Sequence, residues 1–163
     1  MPRHHVSYAA DVAAPPAAVY GLIADYDRGH PRILPPKYFR NMRVEKGGRG
    51  AGTVVRLEMH ALGRTRNLRA EISEPVPGRV IAEKYPDDQT ETTFTLVPSA
   101  EGSSTRVTIA TELPVRDGLT GRVERFLITR LLKRIYREEL ALLSSVVEDR
   151  KPNATAQEIA PPA

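Results

Sequence analysis

The chain has 163 residues, 40% of them hydrophobic, which suits one domain burying roughly two thirds of its unfolded surface. It contains no Cys, excluding disulfides, thiolate metal sites and cysteine nucleophiles. The net charge of +4 is spread along the chain, and with three Phe, six Tyr and no Trp there is no basic run interleaved with aromatics; the cations read as a solvated face, not a nucleic-acid site. No apolar core segment follows Met1-Pro2-Arg3-His4-His5, and no run approaches the ~20 residues of a transmembrane helix, so a soluble cytoplasmic protein without a signal peptide is expected.

Val6 to Val12 alternates as a strand, with Val6, Tyr8 and Ala10 on one face. Ala13-Ala14-Pro15-Pro16 breaks it, and proline suits a first helical turn, where its missing N–H costs nothing. Val19, Tyr20, Leu22, Ile23 and Tyr26 then recur at helical spacing, predicting a helix over 16–27. Gly29, Pro31, Pro35 and Pro36 end it and allow a short turn around 32–34.

Phe39 to Lys46 is the second predicted strand, followed by a tight reversal at Gly47-Gly48-Arg49-Gly50-Ala51-Gly52. Strands are predicted over 53–62, with Val55, Leu57, Met59 and Ala61 on one face, and over 65–74, with Leu68, Ala70 and Ile72 on one face. Three more follow at 80–85, 90–97 and 105–113. All connections are short, so the strands pair antiparallel as successive hairpins, one face on the core and one in water. In 80–85, Ile81-Glu83-Tyr85 and Val80-Ala82-Lys84 compete for the inner face, and the pattern leaves both registers open.

The closing segment, 117–148, is the longest element; as a helix it would span roughly 48 Å. Ile128, Leu131, Leu132, Ile135, Leu142, Leu143 and Val146 share one arc, and Arg130, Lys133, Arg134, Arg137, Glu138 and Glu148 the other. Glu139 falls in the middle of the apolar arc. Leu119, Val123, Phe126 and Leu127 point elsewhere, so Gly118 and Gly121 suggest a bend or a separate first turn. Residues 150–163 lack periodicity and read as a disordered tail after a domain spanning 1–149.

In this order, several segments together resemble the START/Bet v 1-like (SRPBCC) superfamily, in its polyketide cyclase/dehydrase-like branch, over Arg3 to Glu148. They are Ala14-Pro15-Pro16-Ala17-Ala18-Val19-Tyr20 ahead of Asp25-Tyr26, the run Gly47 to Thr53, the turn Glu74-Pro75-Val76-Pro77-Gly78-Arg79-Val80, and the final helix. The resemblance implies an α+β helix-grip fold. A seven-stranded curved antiparallel sheet would wrap a long C-terminal helix, with two short helices between strands 1 and 2 and an apolar cavity inside. Members include lipid carriers, cyclases, hydratases and simple binding proteins, so the fold does not choose a function.

Four groups are candidates for chemistry. His30 follows the first helix, near the cavity mouth in this fold, and an imidazole there titrates near neutrality. Glu139, if buried, requires a cation, a hydrogen-bond donor or a raised pKa. Arg66, in phase with Leu68-Ala70-Ile72, and Tyr85, in phase with Ile81 and Glu83, are its candidate partners. Tyr26, Tyr38, Leu57, Met59, Leu68, Thr92, Phe94, Thr111, Leu131 and Ile135 are the expected cavity lining, a stripe that also suits plain core.

The glycine run lacks the Lys-Ser/Thr ending of a nucleotide loop and opens no helix, so it reads as a hairpin. His4, His5, His30 and His60 show no metal-ligand spacing, and no Gly-x-Ser-x-Gly elbow occurs. Neither metal nor cofactor is expected.

The expected function is binding or carrying a hydrophobic or aromatic, lipid-like or polyketide-like small molecule between sheet and final helix. The alternative is a cofactor-free polyketide cyclase or dehydratase using His30 or Glu139 as proton shuttle, with Arg66 or Tyr85 steadying an enolate. A third reading is a membrane-surface or co-chaperone-like module using the cationic helix face. Oligomeric state is left open, a dimer included.

Overall fold

The computed structural model describes residues 1–150. The tail expected over 150–163 lies, from Lys151 onward, outside the described residues. Seven strands form one antiparallel sheet: β1 (Arg3–Val12), β2 (Phe39–Lys46), β3 (Val54–Ala61), β4 (Arg64–Val76), β5 (Val80–Tyr85), β6 (Thr90–Pro98) and β7 (Thr105–Pro114). Their spatial order is β1-β7-β6-β5-β4-β3-β2. Consecutive hairpins account for every neighbour except β1, which pairs with β7 from Arg3↔Pro114 to Val12↔Thr105. The first two strands are therefore the two edges, and the chain crosses from one to the other through α1 (Pro16–Ile23) and a single 3-10 turn at His30–Arg32.

Helix α1 starts as the sequence requires, on an extended Pro15 with Pro16 in its first turn. It stops four residues before the predicted Asp27 because the glycine loop claims its next backbone groups. The Tyr26 N–H donates to the Gly48 carbonyl at 2.9 Å, and the Gly50 N–H donates to the Ala24 carbonyl at 2.9 Å. The loop needs glycine for this approach: Gly48 has φ +137° and a Cβ there would lie 2.2 Å from Asp27 Oδ2. The following turn forms at His30–Arg32 instead of 32–34, its His30 N–H donating back to the Asp25 carbonyl.

Strand β2 carries a bulge between Arg40 and Arg43, where Asn41 adopts φ 53°. The extra residue shifts the side-chain phase, so Phe39 faces inward together with Met42 and Val44. In β5 the pairing resolves the open register. Ile81 stands opposite Phe94 and Glu83 opposite Ile72 and Thr92, so Ile81, Glu83 and Tyr85 share the inner face.

Helix α2 runs unbroken from Gly118 to Asp149, so the separate first turn does not form. Gly121 serves another purpose: a Cβ there would sit 1.9 Å from the Arg116 carbonyl oxygen, so only glycine lets the incoming chain fold back on the helix. One stripe of α2, including Ile135, Tyr136, Glu139, Leu140 and Leu143, is buried. It meets Val6, Val12, Phe94, Leu96 and Ile109 from the sheet and Val19, Leu22 and Ile23 from α1 in one core. Leu119, Val123, Phe126 and Leu127 face outward and are exposed.

Candidate functional site

Between the inner face of the sheet and α2 lies a cavity of about 280 Å³. Its walls are mostly aliphatic and aromatic, with Leu57, Met59 and Leu68 from β3 and β4, Phe94 from β6, and Leu131 and Ile135 from α2. Thr92, Thr111 and Tyr26 line it as well, and Leu34, Phe39 and Met42 complete the wall beneath the β2 bulge. Tyr38 is the exception: it is buried in the core and does not line this cavity.

A polar cluster sits within these apolar walls, centred on Glu83, 6% exposed. The Tyr26 hydroxyl donates to Glu83 Oε1 at 2.7 Å and the Tyr85 hydroxyl donates to Oε2 at 2.8 Å. His30 Nε2 lies 3.4 Å from Oε1. The other ring nitrogen, Nδ1, is 2.8 Å from the Ile23 carbonyl oxygen. A carbonyl can only accept, so Nδ1 carries a proton and Nε2 is the ring nitrogen that faces Glu83. The imidazole is fixed by stacking on Tyr26, centroids 4.5 Å apart, and by an edge contact with Phe94 at 5.6 Å. The short α1 and the 3-10 turn after it create this arrangement, because they bring His30 back over Ile23.

Glu139 enters the same cavity from α2, 4% exposed, and its Oε1 has no hydrogen-bond partner among the described residues. Burial, reinforced by the nearby charge of Glu83, pushes its carboxyl well above the ordinary carboxylate range. Burial followed by the Glu83 charge likewise raises Tyr26 and Tyr85, which therefore stay protonated donors. Tyr136 is held up by burial too; its hydroxyl bonds Thr111, whose Oγ1 is 2.7 Å from that of Thr92. These hydroxyls satisfy one another and form a polar strip along the wall.

Arg66 lines the cavity near its rim, but its guanidinium is bonded to Asp88 and its side chain is 56% exposed. It is a mouth residue, and the partner foreseen for Glu139 is not supplied from there. Tyr85 bonds Glu83 rather than Glu139. The structure thus gathers His30, Glu139 and Tyr85 around one residue, Glu83, that the pattern left undecided. Tyr136 went unnoticed because it lies at the margin of the helix arc, next to the exposed Arg137. Among the described residues no three His, Asp or Glu side chains converge as a metal site, and no helix is long and apolar enough to cross a membrane.

Solved structures resembling the chain include the KanY protein, 29% identical with TM-score 0.78 over 91% of this chain and 99% of that one. The aromatase/cyclase Zhui from Streptomyces sp. R1128 is 21% identical, with TM-score 0.73 over 94% and 99%. Norcoclaurine synthase from Thalictrum flavum, solved with dopamine and hydroxybenzaldehyde, is 16% identical, with TM-score 0.69 over 93% and 90%. No curated protein sequence matches the chain. The family model described as polyketide cyclase / dehydrase and lipid transport matches residues 3–148, nearly the whole described fold. The chain belongs to that family.

Proposed function

We propose that the chain binds an aromatic or polyketide-like small molecule in this cavity and transfers protons on it, in the cyclisation and dehydration class. The observation that carries the reading is the unpartnered Glu139 Oε1 in the wall of an apolar cavity that also holds the Glu83–His30 pair. Buried polar atoms are almost always hydrogen-bonded, so an orphan aimed into a cavity is a group reserved for a ligand. Apolar contact supplies affinity, roughly 25 cal/mol per Å² of ligand surface buried. The polar cluster sets orientation. At about 280 Å³ the cavity is at the low end of small-molecule sites, which favours a compact ring system over a two-chain lipid.

In this reading a ligand carbonyl oxygen accepts a hydrogen bond from the protonated Glu139 carboxyl. His30 Nε2, backed by Glu83, takes a proton from the adjacent carbon. The electron pair left on carbon delocalises into an enolate held by Glu139, and that carbon attacks a second carbonyl of the same molecule. The alkoxide so formed takes the proton held on His30; the freed Nε2 then removes the second hydrogen of the attacking carbon, and that proton leaves with the hydroxyl as water, which restores neutral His30. Tyr26 and Tyr85 keep Glu83 in place throughout. A buried neutral acid beside a base is the arrangement such chemistry needs.

The carrier reading rests on the apolar walls alone and predicts binding without turnover. Native mass spectrometry after mild purification identifies the chemical class of any retained molecule. Turnover of that class by the wild type, lost in Glu139→Gln and in His30→Ala, supports the enzyme. Unchanged turnover in both variants removes the catalytic assignment, and binding with no turnover in the wild type selects the carrier.

A further inference from the structure

The outward face of α2 is not accounted for by the cavity. Leu119, Val123, Phe126 and Leu127 are exposed at 79%, 60%, 64% and 44%. At about 100° per residue they fall within an arc of about 100°, opposite the buried stripe. Four large apolar side chains adjoining over more than two turns form a patch, which a soluble surface does not need. Along the same arc, one turn further on, the face becomes cationic with Arg130, and Arg122 and Lys133 border it. These three make no salt bridge among the described residues. The nearby acid Glu124 is turned back, accepting the Arg116 backbone N–H at 3.0 Å.

We propose that this face of α2 docks on an anionic lipid bilayer, with Leu119, Val123, Phe126 and Leu127 inserted at headgroup level and Arg122, Arg130 and Lys133 against lipid phosphates. A helix that is apolar on one face and flanked by unpaired Arg and Lys matches the depth and charge of such an interface. A second copy fits less well, since two such faces meeting would bring unpaired cations together. Nucleic acid offers nothing to the apolar stripe. The surface also has an exit. Leu127 and Leu131 are neighbours at i,i+4, and Leu131 and Ile128 line the cavity, so apolar surface continues from the docking stripe to the cavity wall. A hydrophobic molecule held in the bilayer would have a dry path inward.

The proposal is independent of proton transfer and survives or fails apart from it. The test is co-sedimentation of the chain with vesicles of mixed phosphatidylcholine and phosphatidylserine, against pure phosphatidylcholine. Binding is expected only to the mixed vesicles and is expected to weaken as salt rises. Arg130→Gln/Lys133→Gln should lower the partition coefficient about 30-fold, on the order of fivefold per charge. Leu119→Ser/Phe126→Ser should lower it at least about tenfold by removing inserted apolar surface. All four positions are exposed, so unchanged circular dichroism and melting temperature confirm that the variants fold. Absence of binding, equal binding to pure phosphatidylcholine, or binding that survives either double variant overturns the proposal. Light scattering that finds a dimer abolished by Leu119→Ser/Phe126→Ser, without vesicle binding, also overturns it and assigns the face to a second copy.

Discussion

Replacing Glu139 by Gln removes a buried acid while keeping its shape, and the consequence depends on pH in a calculable way. Glu139 is held well above the ordinary carboxylate value of 4.5 by burial and by Glu83. The folded protein therefore keeps this proton at pH values where the unfolded chain has released it. A raised acid contributes its full stability at low pH and loses it as pH rises from the unfolded value toward the folded one. The slope is about 1.4 kcal/mol per pH unit while the native group stays protonated, so from pH 5 to pH 7 the wild type loses up to about 2.7 kcal/mol through this residue. The Gln variant loses none of it, and groups common to both proteins cancel in the difference. Urea unfolding at pH 5, 6 and 7 should show the stability of Glu139→Gln relative to wild type climbing over the series, by at most the linkage limit of about 1.4 kcal/mol per pH unit. Parallel pH profiles for the two proteins would show that Glu139 is ionised when folded, and its role as proton donor would fall with it.

Glu83→Gln keeps acceptor and shape but removes the charge facing His30 Nε2; turnover should drop by about 10²–10⁴ while ligand affinity, measured by calorimetry, stays within a few-fold. Gly48→Ala forces a Cβ onto Asp27 and fixes an unfavourable φ, so its thermal midpoint should fall measurably, whereas Gly102→Ala, with open space around it, should lose only the smaller cost of its positive φ. Burial, together with the 2.5 Å hydrogen bond that Tyr20 donates to Glu74, holds the phenol up at about 12, and the same hydrogen bond holds Glu74 below its ordinary range. Tyr20→Phe should cost about 1–3 kcal/mol at pH 7, and because a depressed acid contributes only above its unfolded value, the deficit in urea titrations should shrink as pH falls below about 4.

The strands and the long helix were readable because each buries one face, and alternation or a 100° projection reports that directly. Failure came wherever backbone geometry reset the phase. The Asn41 bulge puts Phe39 and Met42 on one face, three residues apart, which no strict period of two allows. Helix α1 ends early because distant glycine-loop groups compete for its backbone, a contact with no local signature. Glu83 was left undecided because Ile81-Glu83-Tyr85 and Val80-Ala82-Lys84 each offer an inner face; only pairing with β4 and β6 settles its facing. Arg66 has the correct phase, yet near the start of β4 its side chain pairs with Asp88 at the cavity rim. Glu139 was legible because a carboxylate in the centre of an apolar arc violates the pattern, and the structure buries it in the cavity wall.

The placement of β1 also bears on how the molecule is made. Arg3 pairs with Pro114 and Val12 with Thr105, so among the described residues β1 finds its only sheet neighbour in β7. Every other strand pairs with one adjacent in sequence and zips locally. On the ribosome β1 thus waits, apolar face uncovered, until the chain has emerged past residue 114, and that long-range closure places folding among the slower topologies, on the order of milliseconds to seconds. A circular permutant that begins at β2 and joins β7 to β1 through a short loop would make that pairing local and should fold faster with the same native sheet.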